Sequence, residues 1–281
     1  MKRLARSVLF LPASNGRAID KARGLRCDIA VLDLEDAVAP EAKIEARQAA
    51  RAALLDGGFR PRVGVRINGL DTPWGKDDLT VLGEVADLIV LPKVESPETV
   101  RQAAVLAPTA ALWAMIETPR ALLSLDAIAG SGGALEALML GVNDLSSALG
   151  CGSDARREPL KPWLAATVAA ARTYHLLAID GVFNRLEDAS GLDAECSQGR
   201  LYGFDGKSLI HPAQIDAANA AFAPSAEEVA RARAIIAAFA APEAAGKGAI
   251  RLNGGMVERL HLEAAERLIA RHEACRAADS A

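Results

Sequence analysis

Leu112-Trp113-Ala114-Met115-Ile116-Glu117-Thr118-Pro119 and Leu135-Glu136-Ala137-Leu138-Met139-Leu140-Gly141-Val142-Asn143-Asp144 decide the fold. Each is an apolar run of strand length that finishes in a carboxylate and a turn, as buried parallel strands do. Residues 120–129 between them read as a helix and 130–133 as a loop, so the unit is strand, helix, parallel strand. Neighbouring strands lie about 4.8 Å apart. Glu117 and Asp144 at two adjacent tips therefore come within reach of one hard divalent cation. Mg2+ takes one or two protein carboxylates and fills its other positions with water and substrate oxygens. Either acid alone reads as a cap on the following helix; two in consecutive units, with Gly141 and Asn143 beside the second, mark a site.

Outward from this pair the same alternation recurs. Strands are predicted over 7–11, 29–36, 62–68, 88–94, 177–182 and 207–210, with helices over 15–25, 41–55, 74–85, 162–174, 187–201 and 212–221. Ser96-Pro97-Glu98 opens a further helix with a cap, a first-turn proline and an acid. Ile44, Ala49, Ala52 and Leu55 are the predicted sheet-facing side of the second helix. Eight strand and helix units fit within residues 1–222, and eight is the number that closes a (β/α)8 TIM barrel. Residues 223–281 remain as a C-terminal helical extension: a helix over 226–241 opened by Ser225, a glycine-containing loop, and a last helix over 256–276. It is free to serve as a lid or to pack on the barrel or a neighbouring subunit.

Composition narrows the class. Of the 281 residues 51% are hydrophobic and only 4% aromatic, an interior of alanine and branched aliphatics suited to layered helices and strands. A net charge of -4 gives no basic footprint for nucleic acid and no polybasic patch for a membrane surface. The run after Lys2-Arg3 is too short for a signal peptide and ends at Pro12, and no apolar run reaches membrane-spanning length. Cys27, Cys151, Cys196 and Cys275 are widely spaced with no CxxC pair, which suits free thiols in a cytoplasmic protein. No GxGxxG follows a strand, and 203–208 has the GKS end of a phosphate loop without its first glycine.

In a barrel of this kind, catalytic groups sit at the carboxyl ends of strands. The polar residues predicted there are Glu35, Asp36, Arg66, Asn68, Lys93, Glu117, Asn143, Asp144 and His211. Acids mixed with Arg and Lys suit a Mg2+ that holds an anionic, oxygen-rich substrate. Read from residues alone, this is a metal-dependent barrel enzyme.

The chain also resembles the citrate lyase β-subunit and malyl-CoA lyase group of the HpcH/HpaI aldolase superfamily, nearly end to end. The resemblance is carried by Arg6-Ser7-Val8-Leu9-Phe10-Leu11-Pro12, Asp33-Leu34-Glu35-Asp36-Ala37-Val38 with Lys43, Val65-Arg66-Ile67-Asn68, Leu91-Pro92-Lys93, Ile116-Glu117-Thr118-Pro119, Leu140-Gly141 with Asp144, Ala178-Ile179-Asp180-Gly181-Val182, and Gly206-Lys207 with Ile210-His211-Pro212. It implies a TIM barrel that uses Mg2+ to make or cleave a carbon–carbon bond between an acyl-CoA and a 2-oxo acid, as in malyl-CoA, citramalyl-CoA or citryl-CoA. It implies Glu117 and Asp144 as metal ligands and Arg66 as the substrate-binding, alkoxide-stabilising arginine. Amides near Gly141, Val142 and Asn143 are then placed for the oxo acid's carboxylate. Glu35, Asp36 and Lys93 support the centre, the acids by positioning Arg66 or the metal's waters and Lys93 as their ion-pair partner. For the CoA end, Asn15, Arg17 and Lys21 are the candidates.

Related lyases place an aspartate for the enolate proton in the C-terminal glycine and methionine stretch, donated across a subunit boundary; Gly254-Gly255-Met256-Val257-Glu258 carries glutamate instead. Glu258 is thus either the acid/base with shifted geometry or only a first-turn helix acid. A lyase is the leading expectation. A class II aldolase on free 2-oxo acids, a malyl-CoA thioesterase and a non-catalytic oxo-acid-binding homologue are the alternatives. The resemblance and the spare C-terminal helices favour a homotrimer or hexamer, with acyl-carrier or lyase-complex subunits as possible partners.

Overall fold

The structure is a computed structural model that describes residues 4–152, 156–241, 246–252 and 254–280. Strands β1 (Ser7–Pro12), β2 (Ile29–Asp33), β3 (Arg62–Arg66), β4 (Leu88–Leu91), β5 (Ala111–Ile116), β6 (Leu135–Leu140), β7 (Leu177–Asp180) and β8 (Gly206–Leu209) form a closed parallel barrel in sequence order. Val8 against Ser208 closes the ring. This is the (β/α)8 barrel the alternating pattern predicts.

Because successive strand residues face opposite sides, each strand feeds two cores. Val31, Val90, Trp113, Met115, Met139 and Ile179 belong to one cluster, the barrel interior; Leu9, Leu32, Ile89, Ala114, Leu138 and Leu209 belong to the layer shared with the helices. Register then sets the mouth. Asp33 lies opposite Arg66, and Met115 opposite Met139. One step further along the inward set come Glu117 and Gly141.

The helices are α1 (Gly16–Ala22), α2 (Lys43–Asp56), α3 (Gly75–Leu82), α4 (Pro97–Leu106), α5 (Pro119–Leu123), α6 (Leu125–Ala129), α7 (Val142–Leu149), α8 (Lys161–Thr173), α9 (Ala189–Tyr202) and α10 (Ile215–Phe222). The single helix predicted over 120–129 is two, broken at Ser124. Ser96 precedes α4 but makes no side-chain cap bond. On α2 the predicted inner side is wrong: Ile44 and Leu55 are 62% and 59% exposed, and Ala49 and Ala52 also face out. Lys43, Ala46, Arg47, Ala50 and Ala53 are buried instead. The charged pair tolerates burial because Lys43 Nζ donates to the Leu34 and Glu35 carbonyls, both at 2.9 Å, and Arg47 Nε to Asp78 Oδ1 at 2.6 Å. Small alanines then let the helix approach closely, and apolar periodicity alone points to the other side.

The chain divides into two compact units, Met1–Phe222 and Ala223–Ala281. The second opens with α11 (Ala226–Ala240), whose Ser225 and Glu228 form a capping box. An antiparallel hairpin of β9 (Ala249–Leu252) and β10 (Gly255–Glu258) follows, then α12 (Arg259–Ser280). The predicted loop and early helix start at 256 are thereby corrected: Met256, Val257 and Glu258 are strand. An Asn-Gly pair between two short runs is a hairpin signal, and Asn253-Gly254 carries it in the sequence. Ala232, Ile235 and Ala265 form this unit's small core with Leu252 and Val257.

The cysteines are free thiols, and burial pushes Cys27 up to about 12 and Cys196 to about 11. Among the described residues, no helix is long and apolar enough to cross a membrane.

Candidate active site at the barrel mouth

Glu117 follows β5 and is released from helix capping by its neighbour. Thr118 accepts the Ala121 N–H at 3.1 Å and caps α5. Glu117 itself is 1% exposed. Its Oε1 accepts the Lys93 N–H at 2.7 Å, while Oε2 is buried with no hydrogen-bond partner. Gly141 makes room for that oxygen: a Cβ there would lie 2.3 Å from Oε2. Burial, reinforced by the charges of Glu35 and Asp144, pushes the Glu117 carboxyl up to about 7. Asp144 stands not at a strand tip but in the first turn of α7, where the helix dipole also favours an acid. From there it lines the same cavity as Glu117.

Arg66 at the end of β3 is held from behind. Its Nε and Nη2 donate to Asp33 Oδ1 and Oδ2 at 2.7 and 2.6 Å, and Nη1 lies 2.8 Å from Glu35 Oε2 and 3.4 Å from Asp36 Oδ2. That Glu35 contact is an ion pair and not a hydrogen bond, for Oε2 has no hydrogen-bond partner. The guanidinium also sits 5.2 Å over the Phe10 ring. Burial opposes its charge, but the Asp33, Glu35 and Asp36 carboxylates hold it firmly ionised. Lys93 Nζ donates to Glu35 Oε1 at 2.5 Å. Burial raises the Glu35 carboxyl above the usual range even against these two cations.

Asp33 is the residue that sequence reasoning passed over. It ends β2 directly across from Arg66, so its signal was an inward-facing acid in register with an inward-facing arginine. It also fixes the turn that carries the other acids, accepting the Glu35 and Ala37 N–H groups at 2.9 and 3.2 Å.

The mouth encloses a cavity of about 500 Å³ lined by Asp33, Asp36, Arg66, Glu117, Gly141, Val142, Asn143 and Asp144, with Phe10, Met115, Met139, Val182 and Ile210 as apolar wall. Glu35 and Lys93 are bonded behind it. Other tip residues have different work. Asn68 donates to Asp78 Oδ2 at 2.6 Å; His211 Nδ1 accepts the Ala213 N–H at 3.1 Å as a helix cap. Lys43 is buried under the 34–35 turn. Asn143 pairs through its amide with Asn184 at 2.7 Å, and Asn15 caps α1 through Ala18 at 3.2 Å. Glu258 belongs to the other compact unit, at the end of β10, where its N–H donates to His261 Nδ1 at 2.9 Å.

The donor set fits Mg2+. Asp33, Glu35, Asp36, Glu117 and Asp144 bring five carboxylates against two cationic side chains, Arg66 and Lys93, and Glu117 Oε2 is left without a hydrogen-bond partner. Among the described residues no three His, Cys, Asp or Glu side chains converge as a full metal cage. Mg2+ does not need one, because it keeps water and substrate oxygens as ligands.

Residues 6–212 match the HpcH/HpaI aldolase/citrate lyase family. The chain belongs to that family. Among its relatives, the (3S)-malyl-CoA thioesterase of Cereibacter sphaeroides (strain KD131 / KCTC 12085) is 44% identical over 272 residues, covering 96% of this chain and 95% of the relative. The L-malyl-CoA/beta-methylmalyl-CoA lyase of Cereibacter sphaeroides (strain ATCC 17029 / ATH 2.4.9) is 33% identical over 301 residues, covering 95% of this chain and 94% of the relative. CitE from Mycobacterium tuberculosis, solved in complex with magnesium, acetoacetate and coenzyme A, matches with a TM-score of 0.81 at 31% identity, over 97% of this chain and 100% of that one. Family membership and barrel agree with the sequence reading. The expected order of reactions does not follow so simply: the lyase led, yet the 44% relative is named a thioesterase, one of the alternatives.

Proposed function

We propose that this protein is a Mg2+-dependent enzyme of malyl-CoA-class thioesters, and that it hydrolyses them to the free hydroxy acid and CoA. The observation that carries the metal is the buried, unpartnered Oε2 of Glu117, a residue that lines with Asp144 one cavity rich in carboxylates. Similarity to the (3S)-malyl-CoA thioesterase favours hydrolysis as the outcome.

Glu117 and Asp144 would hold Mg2+, which as a Lewis acid would polarise the substrate's hydroxyl and adjacent carboxylate. Arg66, kept charged and rigid by Asp33, donates from Nη1 to the same oxygens and orients them. Amides at Gly141, Val142 and Asn143 are available to the carboxylate. Glu258 is the proposed base that takes a proton from the attacking water; the carbonyl carbon gains that oxygen and loses the CoA sulfur, which leaves with a proton. In this reading the protein works as a cytoplasmic homotrimer or hexamer.

Charge narrows the substrate. Arg66 is the only cation among the described residues lining the cavity, and it already faces three acids. A second carboxylate beside the metal-bound one, as in citryl-CoA, would find no further cation in the lining; the hydrogen or methyl of malyl- or citramalyl-CoA needs none. Carbon–carbon cleavage is the second reading, favoured by Arg66 beside the Glu117 site, where an alkoxide would be stabilised. Incubating malyl-CoA with and without Mg2+ and measuring products tests both. Free CoA and malate with no acetyl-CoA is expected; stoichiometric acetyl-CoA and glyoxylate would overturn hydrolysis. Metal-independent turnover, or full Mg2+-dependent turnover by a folded Glu117→Ala variant, would overturn the metal site.

A further inference from the structure

We propose that Lys93 is a positioning residue that acts through its main chain, its left-handed backbone aiming the N–H at one oxygen of Glu117 so that the other alone is presented to the metal. The ligand role rests on the function proposed above; the amide contact belongs to the metal-free protein.

Lys93 has φ +48, a conformation that costs a residue with a Cβ about 1–2 kcal/mol. Such strain persists where surrounding structure demands it, and it clusters at functional sites. What the strain achieves is visible in adjacent amides. Val94 N–H goes to the Met115 carbonyl on β5 at 3.3 Å, whereas Lys93 N–H turns to Glu117 Oε1 at 2.7 Å. With Oε1 taken and Gly141 leaving space beside Oε2, the carboxylate has one free oxygen. A one-oxygen ligand suits the octahedral demands of Mg2+. The ammonium does something separate, pairing with Glu35, so substitutions can remove it while leaving the backbone geometry.

Lys93→Gly and Lys93→Asn keep left-handed backbone accessible, Lys93→Ala less so, and Lys93→Val strongly opposes it; all four lack the ammonium. Magnesium affinity is read by calorimetry, and the residue-93 amide by hydrogen exchange in metal-free protein. Expected are Gly and Asn variants within about threefold of wild-type affinity and a Val variant weakened about tenfold or more, a factor worth roughly 1.4 kcal/mol. The residue-93 amide should be protected in wild type and the Gly variant, and released by Glu117→Ala. If the Val variant fails to fold, the order Gly and Asn above Ala carries the same test. The inference is overturned if all the variants weaken equally, which assigns the effect to the ammonium, or if the wild-type amide exchanges like an exposed loop. A wild type with a protected amide but no magnesium binding instead overturns the metal reading, and the ligand role with it.

Discussion

Two groups of charged side chains are sunk into this barrel. In its wall, between β7, β8 and α9, Lys207 Nζ donates to Glu195 Oε1 at 2.5 Å, to the Gly181 carbonyl at 2.6 Å and to Asp180 Oδ2 at 3.3 Å. Arg157 Nη1 reaches Asp180 Oδ1 at 2.7 Å. Two acids meet two cations there, and Lys207 and Asp180 are fully buried. Burial works against the Asp180 charge, yet Lys207 and Arg157 hold its carboxyl below the usual range. At the mouth, by contrast, acids outnumber cations, and Glu35 Oε2 and Glu117 Oε2 lack hydrogen bonds. Balanced, saturated charge stiffens a wall; unbalanced charge with an oxygen to spare awaits a ligand.

The wall should therefore respond to mutation through stability and the mouth through chemistry. Asp180→Ala leaves two buried cations to share Glu195, and removing one partner of a buried pair typically costs about 3–5 kcal/mol; urea unfolding should show a loss of that size, with Mg2+ affinity per folded molecule retained. Arg66→Lys keeps a charge but loses the fork that engages Asp33 and orients the substrate, and misplacing a substrate by about 1 Å costs roughly 10² in rate. Steady-state assays should find that loss with a melting temperature changed far less than by Asp180→Ala.

pH sharpens the contrast. Glu117 holds its proton up to about 7 when folded but only to about 4.5 as an ordinary carboxyl. Between those values the folded state binds the extra proton, so metal-free protein loses stability as pH rises, by about 1.4 kcal/mol per unit, and levels off above the window. Mg2+ needs the carboxylate, so its affinity should climb toward tenfold per pH unit and flatten above about 7. Calorimetry across pH checks this; Glu117→Gln should abolish both slopes and make the metal-free protein more stable than wild type at pH 8. The smallest effect belongs outside both clusters. Ile44→Gln on the exposed side of α2 should change stability by no more than about 0.5 kcal/mol.

Much of the mouth was legible because it depends on local pattern: an apolar run, then an acid, then a helix. Glu117 follows that rule, and eight strand and helix units imply closure. Asp33 escaped because its role depends on register with a strand over thirty residues away. Asp144 was recognised as an acid, but its helical position depends on where β6 stops. The α2 face was misjudged because Lys43 and Arg47 owe their burial to partners on other elements. Arg157 lies on no regular strand or helix, and nothing local marks it as the partner of Asp180.

Gly141 has a use beyond this one chain. Any side chain at that position would intrude on the very oxygen that Glu117 keeps unclaimed, since a Cβ there would stand 2.3 Å from Oε2 and 2.5 Å from the glutamate's own Cβ; the two positions are therefore tied, and a change at one asks for a change at the other. In a relative with alanine or serine there, the glutamate is expected to swing aside or give way to a shorter acid, which a sequence comparison can read before any protein is purified.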